Sequence, residues 1–294
     1  MKRILFKGCG TAIATPFTED GINFEEFKKL IEYQIEQGID SIIVCGTTGE
    51  SATMTNEERK SVIKFVVDTV NKRIPVIAGT GANNTKAAIE LSKYAENIGA
   101  DGLLIVTPYY NKTTQDGLVT HYSAIANQVS IPIILYNVPS RTGININPET
   151  CYELSKIDNI VAIKEASGNI SQIAKIASLC KDELYIYSGN DDQVIPILSL
   201  GGIGVISVLS NIEPKFMHDM VINFLNNNFD QALKKQLKSL PLIDMLFCEV
   251  NPIPIKEALN IVGYNYGITR LPLVKLTENN KEKLKKILKD FKNS

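Results

Sequence analysis

The chain has 294 residues, with 31 Lys+Arg against 32 Asp+Glu, a formal net charge of −1 and 44% hydrophobic residues. This balance disfavours a general nucleic-acid binder or an anionic-membrane binder, because both need a basic surface. The length fits two ordinary domains or one barrel of about 250 residues. The N-terminus carries no long apolar run, so we expect neither a signal peptide nor a transmembrane span.

Short apolar runs rich in β-branched residues recur along most of the chain. They lack polar alternation, which is typical of strands buried on both faces of a parallel sheet. The predicted strands are Thr11–Thr15, Ser41–Cys45, Pro75–Gly79, Gly102–Val106, Pro132–Tyr136, Ile160–Ile163, Leu184–Tyr187 and Gly204–Val208. Helical patterns fill the gaps, and the one after Thr55-Asn56-Glu57-Glu58 opens with the form of a capping box. Eight strand–helix repeats favour an α/β fold, the closed (β/α)8 TIM barrel, over a doubly wound open sheet.

After about residue 212 the strand patterns end and helical patterns take over. The predicted helices are Pro214–Leu225, Phe229–Phe247, Ile255–Val262 and Thr277–Lys292. Prolines between them are typical of helix boundaries. We therefore predict a catalytic barrel over residues 1–226 and a C-terminal helical domain over residues 227–294.

The cysteines and histidines give no indication of a metal or disulfide framework. The five cysteines are scattered and never spaced C-x-x-C, which favours free thiols in a reduced, cytoplasmic protein. Neither histidine has a carboxylate or thiol at metal-ligand spacing, so we expect no transition metal. Asp191-Asp192 could hold Mg²⁺, but the first turn of a helix beginning near Gln193 is favoured. No complete dinucleotide or Walker A pattern occurs, so no nucleotide cofactor is expected.

In such barrels the active site lies at the C-terminal ends of the strands. Lys164 stands there, at the end of an apolar run, although lysine is almost never fully buried unless it is paired. It could snorkel outward or pair with Glu165; alternatively, a desolvated amine could attack a carbonyl and form a Schiff base. Tyr136, at the end of the preceding strand, could shuttle protons. Together with Thr47-Thr48 on another strand end, it favours the Schiff base.

Three groups of residues near strand ends allow two interpretations each. The hydroxyls of Thr47-Thr48 between two glycines suit anion binding or a structural turn, and the spacing does not decide. The pair Tyr109-Tyr110 in isolation favours packing or an interface. Arg141 is placed to hold a carboxylate with its planar fork, or to form a surface ion pair.

Five segments in chain order resemble one known family. They are GTTGES at 46–51, TPYYN at 107–111, YNVPSRTG at 136–143, IKEASG at 163–168 and GVISV at 204–208. They are similar to the dihydrodipicolinate synthases (4-hydroxy-tetrahydrodipicolinate synthases) of the class I pyruvate-dependent aldolase superfamily, along essentially the whole chain. The resemblance implies condensation of pyruvate with L-aspartate 4-semialdehyde to 4-hydroxy-tetrahydrodipicolinate. This is the first committed step of diaminopimelate and lysine biosynthesis, and it needs no cofactor.

The resemblance also assigns catalytic roles. Lys164 is expected to form the imine with pyruvate, and Tyr136 to donate and accept protons. Thr47 links Tyr136 to Tyr110, which enters the relay of the neighbouring subunit. A homo-oligomer is therefore expected, usually a tetramer built from tight dimers.

The substrate-binding residues follow from the same resemblance. Thr48 and the backbone of Ile206 are expected to bind pyruvate, with Gly189 nearby. Arg141 is expected to hold the carboxylate of the semialdehyde at the mouth of the site.

One departure from the family concerns feedback by L-lysine. Asn56 and Arg59 stand where lysine-inhibited members carry histidines, and Ala87 stands where a glutamate is expected. A missing carboxylate weakens binding of the effector's ammonium by about 1.5–3 kcal/mol. The sequence therefore predicts weak or absent inhibition by L-lysine.

Two alternatives to the synthase stay open at this point. The first is another pyruvate-type aldolase, such as N-acetylneuraminate lyase or a 2-keto-3-deoxy acid aldolase, which Arg141 disfavours. The second is a non-catalytic barrel that senses pyruvate-like acids. The joint presence of Lys164, Tyr136 and Thr47 argues against it, because a sensor has no need for the amine.

Overall fold

The computed structural model describes residues 2–293. Its strands are β1 (Gly8–Ala12), β2 (Phe17–Thr18), β3 (Gly21–Ile22), β4 (Ser41–Val44), β5 (Val76–Gly79), β6 (Gly102–Val106), β7 (Ile133–Asn137), β8 (Ile160–Glu165), β9 (Tyr185–Ser188) and β10 (Gly204–Ser207). Its helices are α1 (Phe24–Glu36), α2 (Asn56–Val70), α3 (Thr85–Asn97), α4 (Gln115–Ala126), α5 (Pro139–Thr142), α6 (Pro148–Ser155), α7 (Ile170–Cys180), α8 (Val194–Ser199), α9 (Pro214–Leu225), α10 (Phe229–Leu246), α11 (Ile253–Ile261) and α12 (Glu278–Asn293).

Eight of the strands form a closed parallel barrel. β1 pairs with both β4 and β10, and the remaining strands pair in chain order from β4 to β10. β2 and β3 form a separate antiparallel ribbon after the first strand. The predicted (β/α)8 barrel is therefore confirmed, and the doubly wound open sheet is excluded because the sheet has no free edge.

The first strand lies earlier in the chain than predicted. It spans Gly8–Ala12 instead of Thr11–Thr15, because glycines with low strand propensity occupy positions where the interior leaves no room. A Cβ on Gly10 would come within 2.5 Å of the Cδ1 atom of Ile43. The other seven strands begin and end within two residues of their predicted bounds.

Local capping signals and the C-terminal helices follow the sequence closely. Thr55 caps α2 by accepting from the Glu58 N–H, and the Glu58 carboxylate accepts from the Thr55 N–H, which confirms the capping box. The helix α9 has the predicted bounds, and α10 to α12 differ from theirs by at most two residues. α9 packs on β1, and α10 packs on α9 and α12. The division at residue 226 stays a prediction.

Asp191-Asp192 lie at the start of a helical segment, as the favoured interpretation expects. The two residues form a 3-10 turn that precedes α8. The Asp191 carboxylate is buried and accepts from the N–H groups of Val208 and Leu209, and burial raises its pKa. The Asp191 side chain therefore also fixes the turn after β10, a role that the sequence does not indicate.

Three further observations concern residues 2–293 only. All five cysteines are free, and Cys248 alone among them is exposed. No cluster of three or more potential metal-ligating side chains occurs in this range. None of its helices combines the length and the apolar character needed to cross a membrane.

Candidate active site

Two adjacent strands bring Tyr136 and Lys164 together at the C-terminal end of the barrel. The residues are register partners on β7 and β8. Both side chains are only 6% exposed, and Lys164 Nζ lies 4.4 Å from the centroid of the Tyr136 ring. Within the described part of the chain, Lys164 forms no ion pair. The barrel thus buries an amine against a phenol and leaves the amine without a carboxylate partner.

Glu165 points away from Lys164, because successive strand residues face opposite sides of a sheet. Its buried carboxylate accepts from Asn137 Nδ2 at 3.0 Å, the Ser167 N–H at 2.7 Å and Gln172 Nε2 at 3.3 Å. Burial raises its pKa, and these hydrogen bonds oppose the shift. The alternative in which Lys164 pairs with Glu165 is therefore wrong. The network joins β7 to β8 behind Tyr136 and Lys164. The sequence analysis did not predict that Asn137 donates a hydrogen bond within this network.

Gly189 lies directly against the lysine side chain. A Cβ at this position would stand 3.1 Å from Lys164 Cε and 2.7 Å from the Ala166 Cβ. The Gly189 N–H donates to the Glu165 carbonyl at 2.8 Å, which holds the loop after β9 close to β8. Ile206 is buried in the same interior cluster as Tyr136. Only glycine leaves space beside the amine.

The loop after β4 supplies hydroxyl groups from another side of the barrel. Thr47 and Tyr136 line one small cavity of about 50 Å³. Thr48 is 2% exposed, and its Oγ1 accepts a hydrogen bond from Asn251 Nδ2 at 3.1 Å. Thr47 is therefore placed beside the phenol, and Thr48 is held by the C-terminal extension.

A larger cavity of about 450 Å³ opens the site toward the surface. Thr47, Tyr109, Arg141 and Asn251 contribute to its wall. Arg141, on the short helix α5, donates from Nη2 to the Asn251 carbonyl at 3.2 Å. Sequence reasoning missed Asn251, because nothing in its local pattern shows that a residue between two C-terminal helices reaches the barrel mouth.

Arg59 is a further cation in the wall of this cavity. Its Nη2 donates to the Gly79 carbonyl at 3.1 Å, and burial lowers the pKa of its guanidinium. Its Nε is buried without a hydrogen-bond partner among residues 2–293, and no carboxylate there forms an ion pair with it. The side chain therefore presents positive charge to this part of the cavity.

Tyr110 is the one predicted catalytic residue that lies apart from the others. It is 90% exposed and lines neither of the two cavities. Its φ of 70° places a bulky residue in the left-handed region, at a cost of about 1–3 kcal/mol. This chain's own fold thus directs the Tyr110 side chain outward and not toward Lys164.

A buried ion pair ties the C-terminal extension to the loop after β4. Lys256, on α11, is 2% exposed and donates from Nζ to Glu50 Oε1 at 2.7 Å and to the Ile268 carbonyl at 2.9 Å. The Arg270 N–H donates to Glu50 Oε2 at 3.0 Å. Since Glu50 belongs to the GTTGES segment, the extension holds the same loop that carries Thr47 and Thr48.

Comparisons with known proteins identify the family. The model of the dihydrodipicolinate synthetase family matches residues 5–291. The 4-hydroxy-tetrahydrodipicolinate synthase of Clostridium novyi (strain NT) is 58% identical over 287 residues, which cover 98% of this chain and 97% of that protein.

Two crystal structures superpose closely on the chain. One is the chloride-inhibited dihydrodipicolinate synthase of Acinetobacter baumannii complexed with pyruvate, with a TM-score of 0.95, 45% identity, and coverage of 97% of this chain and 99% of that one. The other is the enzyme of Cyanidioschyzon merolae with lysine bound, with a TM-score of 0.95, 39% identity and 99% coverage of both chains.

Proposed function

The chain belongs to the dihydrodipicolinate synthetase family, and we propose from that premise that it condenses pyruvate with L-aspartate 4-semialdehyde through an imine on Lys164. The product is 4-hydroxy-tetrahydrodipicolinate, in the first committed step of diaminopimelate and lysine biosynthesis. The family match confirms the enzyme class expected from the sequence, a Schiff-base-forming lyase. The observation that carries the proposal is the buried amine of Lys164, unpaired and 4.4 Å from the Tyr136 ring.

The chemistry begins with the amine of Lys164. Its nitrogen attacks the keto carbon of pyruvate, and water leaves to give the imine. Loss of a proton from the methyl carbon then gives an enamine, whose carbon attacks the aldehyde of the second substrate and regenerates the imine. The amino group of the second substrate then attacks the imine carbon, which closes the ring and releases Lys164 as a free amine. The protein supplies this electron sink from its own side chain, so the reaction needs no external cofactor.

Tyr136 is the proton donor and acceptor in this proposal. Its place beside Lys164 on adjacent strands supports the role, since a proton carrier must be within reach of the reacting atoms. Thr47 shares a cavity with Tyr136 and continues the relay. The interior position of the relay keeps the enamine away from bulk water.

The relay ends at Tyr110 of a second subunit. The outward direction of this side chain, held at an energetic cost in the left-handed region, supports a role in another copy of the chain. We therefore propose a homo-oligomer with shared active sites, a tetramer built from tight dimers, located in the cytoplasm.

The substrates bind through their carboxylates. Thr48 and the backbone of Ile206 bind pyruvate beside Gly189, whose lack of a side chain leaves room next to Lys164. The Acinetobacter baumannii enzyme, which is similar along the whole chain, binds pyruvate in its crystal structure. Arg141 borders the larger cavity and holds the semialdehyde carboxylate, for which a guanidinium has the matching planar geometry.

The proposal is tested by reducing the imine. Sodium borohydride is added to the enzyme in the presence of pyruvate, and intact mass is measured. We expect one adduct per chain with the mass of pyruvate minus water plus two hydrogens, located on Lys164 by peptide mapping. The Lys164→Ala variant is expected to give none, whereas Lys64→Ala, at an exposed helix position, is a matched control that traps normally. An unmodified parent enzyme would overturn the imine mechanism.

The substrate assignment needs a second assay. Turnover is compared with L-aspartate 4-semialdehyde plus pyruvate, with N-acetylneuraminate, and with 2-keto-3-deoxy acids. We expect turnover only with the semialdehyde. Preferred cleavage of a sugar acid would contradict the proposed second substrate while leaving the imine intact.

A further inference from the structure

We infer that Asn251, in the C-terminal extension, is a positioning residue for pyruvate, because its side-chain amide directs the Thr48 hydroxyl proton toward the substrate carboxylate. The inference deepens the proposed function and rests on it, since Thr48 is there the pyruvate ligand.

Asn251 contacts two substrate-binding residues through different groups. It is 5% exposed and lies between α10 and α11. Its side-chain Nδ2 donates to Thr48 Oγ1 at 3.1 Å, whereas its main-chain carbonyl accepts from Arg141 Nη2 at 3.2 Å. A change of the side chain therefore removes the contact to Thr48 and leaves the carbonyl for Arg141.

The direction of the hydrogen bond between Asn251 and Thr48 determines whether the Thr48 hydroxyl can donate its proton to a substrate. A threonine hydroxyl has one proton and two lone pairs. Because Asn251 Nδ2 donates to the oxygen, it fills a lone pair, and this nitrogen cannot receive the Thr48 proton. That proton remains available for a carboxylate bound beside Lys164, and the donated bond strengthens it as a donor. Thr48 is itself buried, so bulk water does not compete for the proton.

The rest of the Asn251 side chain argues against a purely structural role. Its Oδ1 is buried and has no hydrogen-bond partner within residues 2–293. An unsatisfied buried acceptor lowers stability, and an apolar side chain of similar size would avoid the cost. The Asn251 amide therefore lowers stability compared with an apolar side chain, but it can donate a hydrogen bond to Thr48.

The fold holds Asn251 and Thr48 in one unit. The Lys256–Glu50 ion pair joins the helix that follows Asn251 to the residue two positions after Thr48. A second pair joins Arg270, in the segment after α11, to Glu58 on α2. The distance between the amide and the hydroxyl therefore depends on contacts on both sides of it.

The test measures how borohydride trapping depends on pyruvate concentration. For Asn251→Ala we expect the half-saturating pyruvate concentration to rise about tenfold, as for the loss of one hydrogen bond to a charged group. At saturating pyruvate, the KM for the semialdehyde is expected to change less than about threefold, because the Asn251 carbonyl still accepts from Arg141. Asn265→Ala, at an exposed position of the same extension, is the matched control and is expected to leave both values unchanged.

The isosteric variant Asn251→Asp tests the direction of the proton. An ionised carboxylate only accepts hydrogen bonds, so the Thr48 hydroxyl would donate to it and be lost to pyruvate. We expect the half-saturating concentration to rise about a hundredfold, more than for alanine, because the new charge also repels the substrate. This variant keeps the test valid if Asn251→Ala does not fold.

A double substitution separates positioning from structure. Adding Asn251→Ala to Thr48→Val is expected to raise the half-saturating concentration no further than Thr48→Val does alone. Additive effects, an unchanged value in both Asn251 variants, or an equal rise for both substrates would overturn the role of Asn251. Absence of any adduct in the parent enzyme would instead refute the proposed function, so the two failures are distinguishable.

Discussion

Two buried lysines in this barrel have opposite surroundings. Lys256, where α11 meets the loop after β4, contacts the Glu50 carboxylate at 2.7 Å and lies 4.3 Å from the Phe17 ring centroid. Lys164, on β8, lies over the Tyr136 ring and has no ion-pair partner in the described part of the chain. The first lysine is matched by a buried charge, and the second is left free to react.

The comparison shows that burial alone does not identify a catalytic lysine. Desolvation lowers the pKa of Lys256, and the adjacent Glu50 carboxylate opposes that shift by favouring the charged form. A paired, charged amine is a poor nucleophile. We therefore expect Lys256 to contribute mainly to stability and Lys164 mainly to the proposed reaction. Substitutions of the two lysines should have correspondingly different effects.

The largest expected effect comes from replacing each lysine with methionine, which has similar volume. Lys256→Met leaves Glu50 buried without its partner, and we expect the free energy of unfolding to fall by about 3–5 kcal/mol. Lys164→Met removes no ion pair, so its stability should stay within about 1.5 kcal/mol of the parent while imine trapping disappears. Urea unfolding at fixed protein concentration checks both. Equal loss of stability in the two variants would contradict the comparison.

A smaller effect is expected where the side chain of Lys164 is crowded. In Gly189→Ala the new methyl group lies within 3.1 Å of Lys164 Cε and 2.7 Å of the Ala166 Cβ, so one of them must shift. We expect a loss of about 1–3 kcal/mol in stability, as in other overpacked sites. The half-saturating pyruvate concentration for trapping should rise as well. Normal trapping by a destabilised variant would show that the space beside Lys164 serves packing only.

A weaker pair at the other end of the barrel should affect stability without affecting catalysis. His218 on α9 lies 2.7 Å from Asp40, and the hydrogen bond to that carboxylate raises the histidine pKa above its ordinary value of 6.5. The pair therefore contributes fully below pH 6.5, and its contribution is lost as the pH rises through the raised pKa.

The contribution of this partly exposed pair should be below about 1 kcal/mol. The parent enzyme should lose stability as the pH rises through this window. In His218→Gln this loss should be smaller, as measured by urea midpoints at several pH values. Turnover at a fixed pH should not change. An unaltered pH dependence of stability would show that the pair contributes nothing measurable.

The last prediction is that added L-lysine has almost no effect on the parent enzyme, and it extends the comparison to Arg59. This guanidinium forms no ion pair within residues 2–293, and neither Asn56 nor Ala87 carries a carboxylate that could hold the ammonium of L-lysine. We expect submillimolar L-lysine to leave turnover almost unchanged. Ala87→Glu should strengthen lysine binding by about 1.5–3 kcal/mol, measured by calorimetry. Strong inhibition of the parent enzyme by submillimolar L-lysine would contradict this prediction.

Local sequence signals predicted the helices and most strands, because their causes are local. The capping box at Thr55 and Glu58 depends on residues three apart, and the apolar runs mark strands buried on both faces. The first strand was misplaced because the glycines of Gly8–Ala12 are set by contacts with distant side chains such as Ile43. The hydrogen-bond partners of Asp191 could not be predicted for the same reason, since they lie seventeen and eighteen residues further along the chain.

By itself the sequence determined the barrel and its family, because periodicity and motifs are properties of residues close together in the chain, and it predicted Lys164 as the reactive amine. Only the tertiary structure decided which buried cation is free and which is paired. The Lys256–Glu50 pair spans 206 positions and the Asn251–Thr48 hydrogen bond spans 203, so no local pattern marks either one. Closure of the barrel and docking of the extension bring these groups together. The buried environment that results has a low dielectric constant, which strengthens the hydrogen bonds and ion pairs formed there.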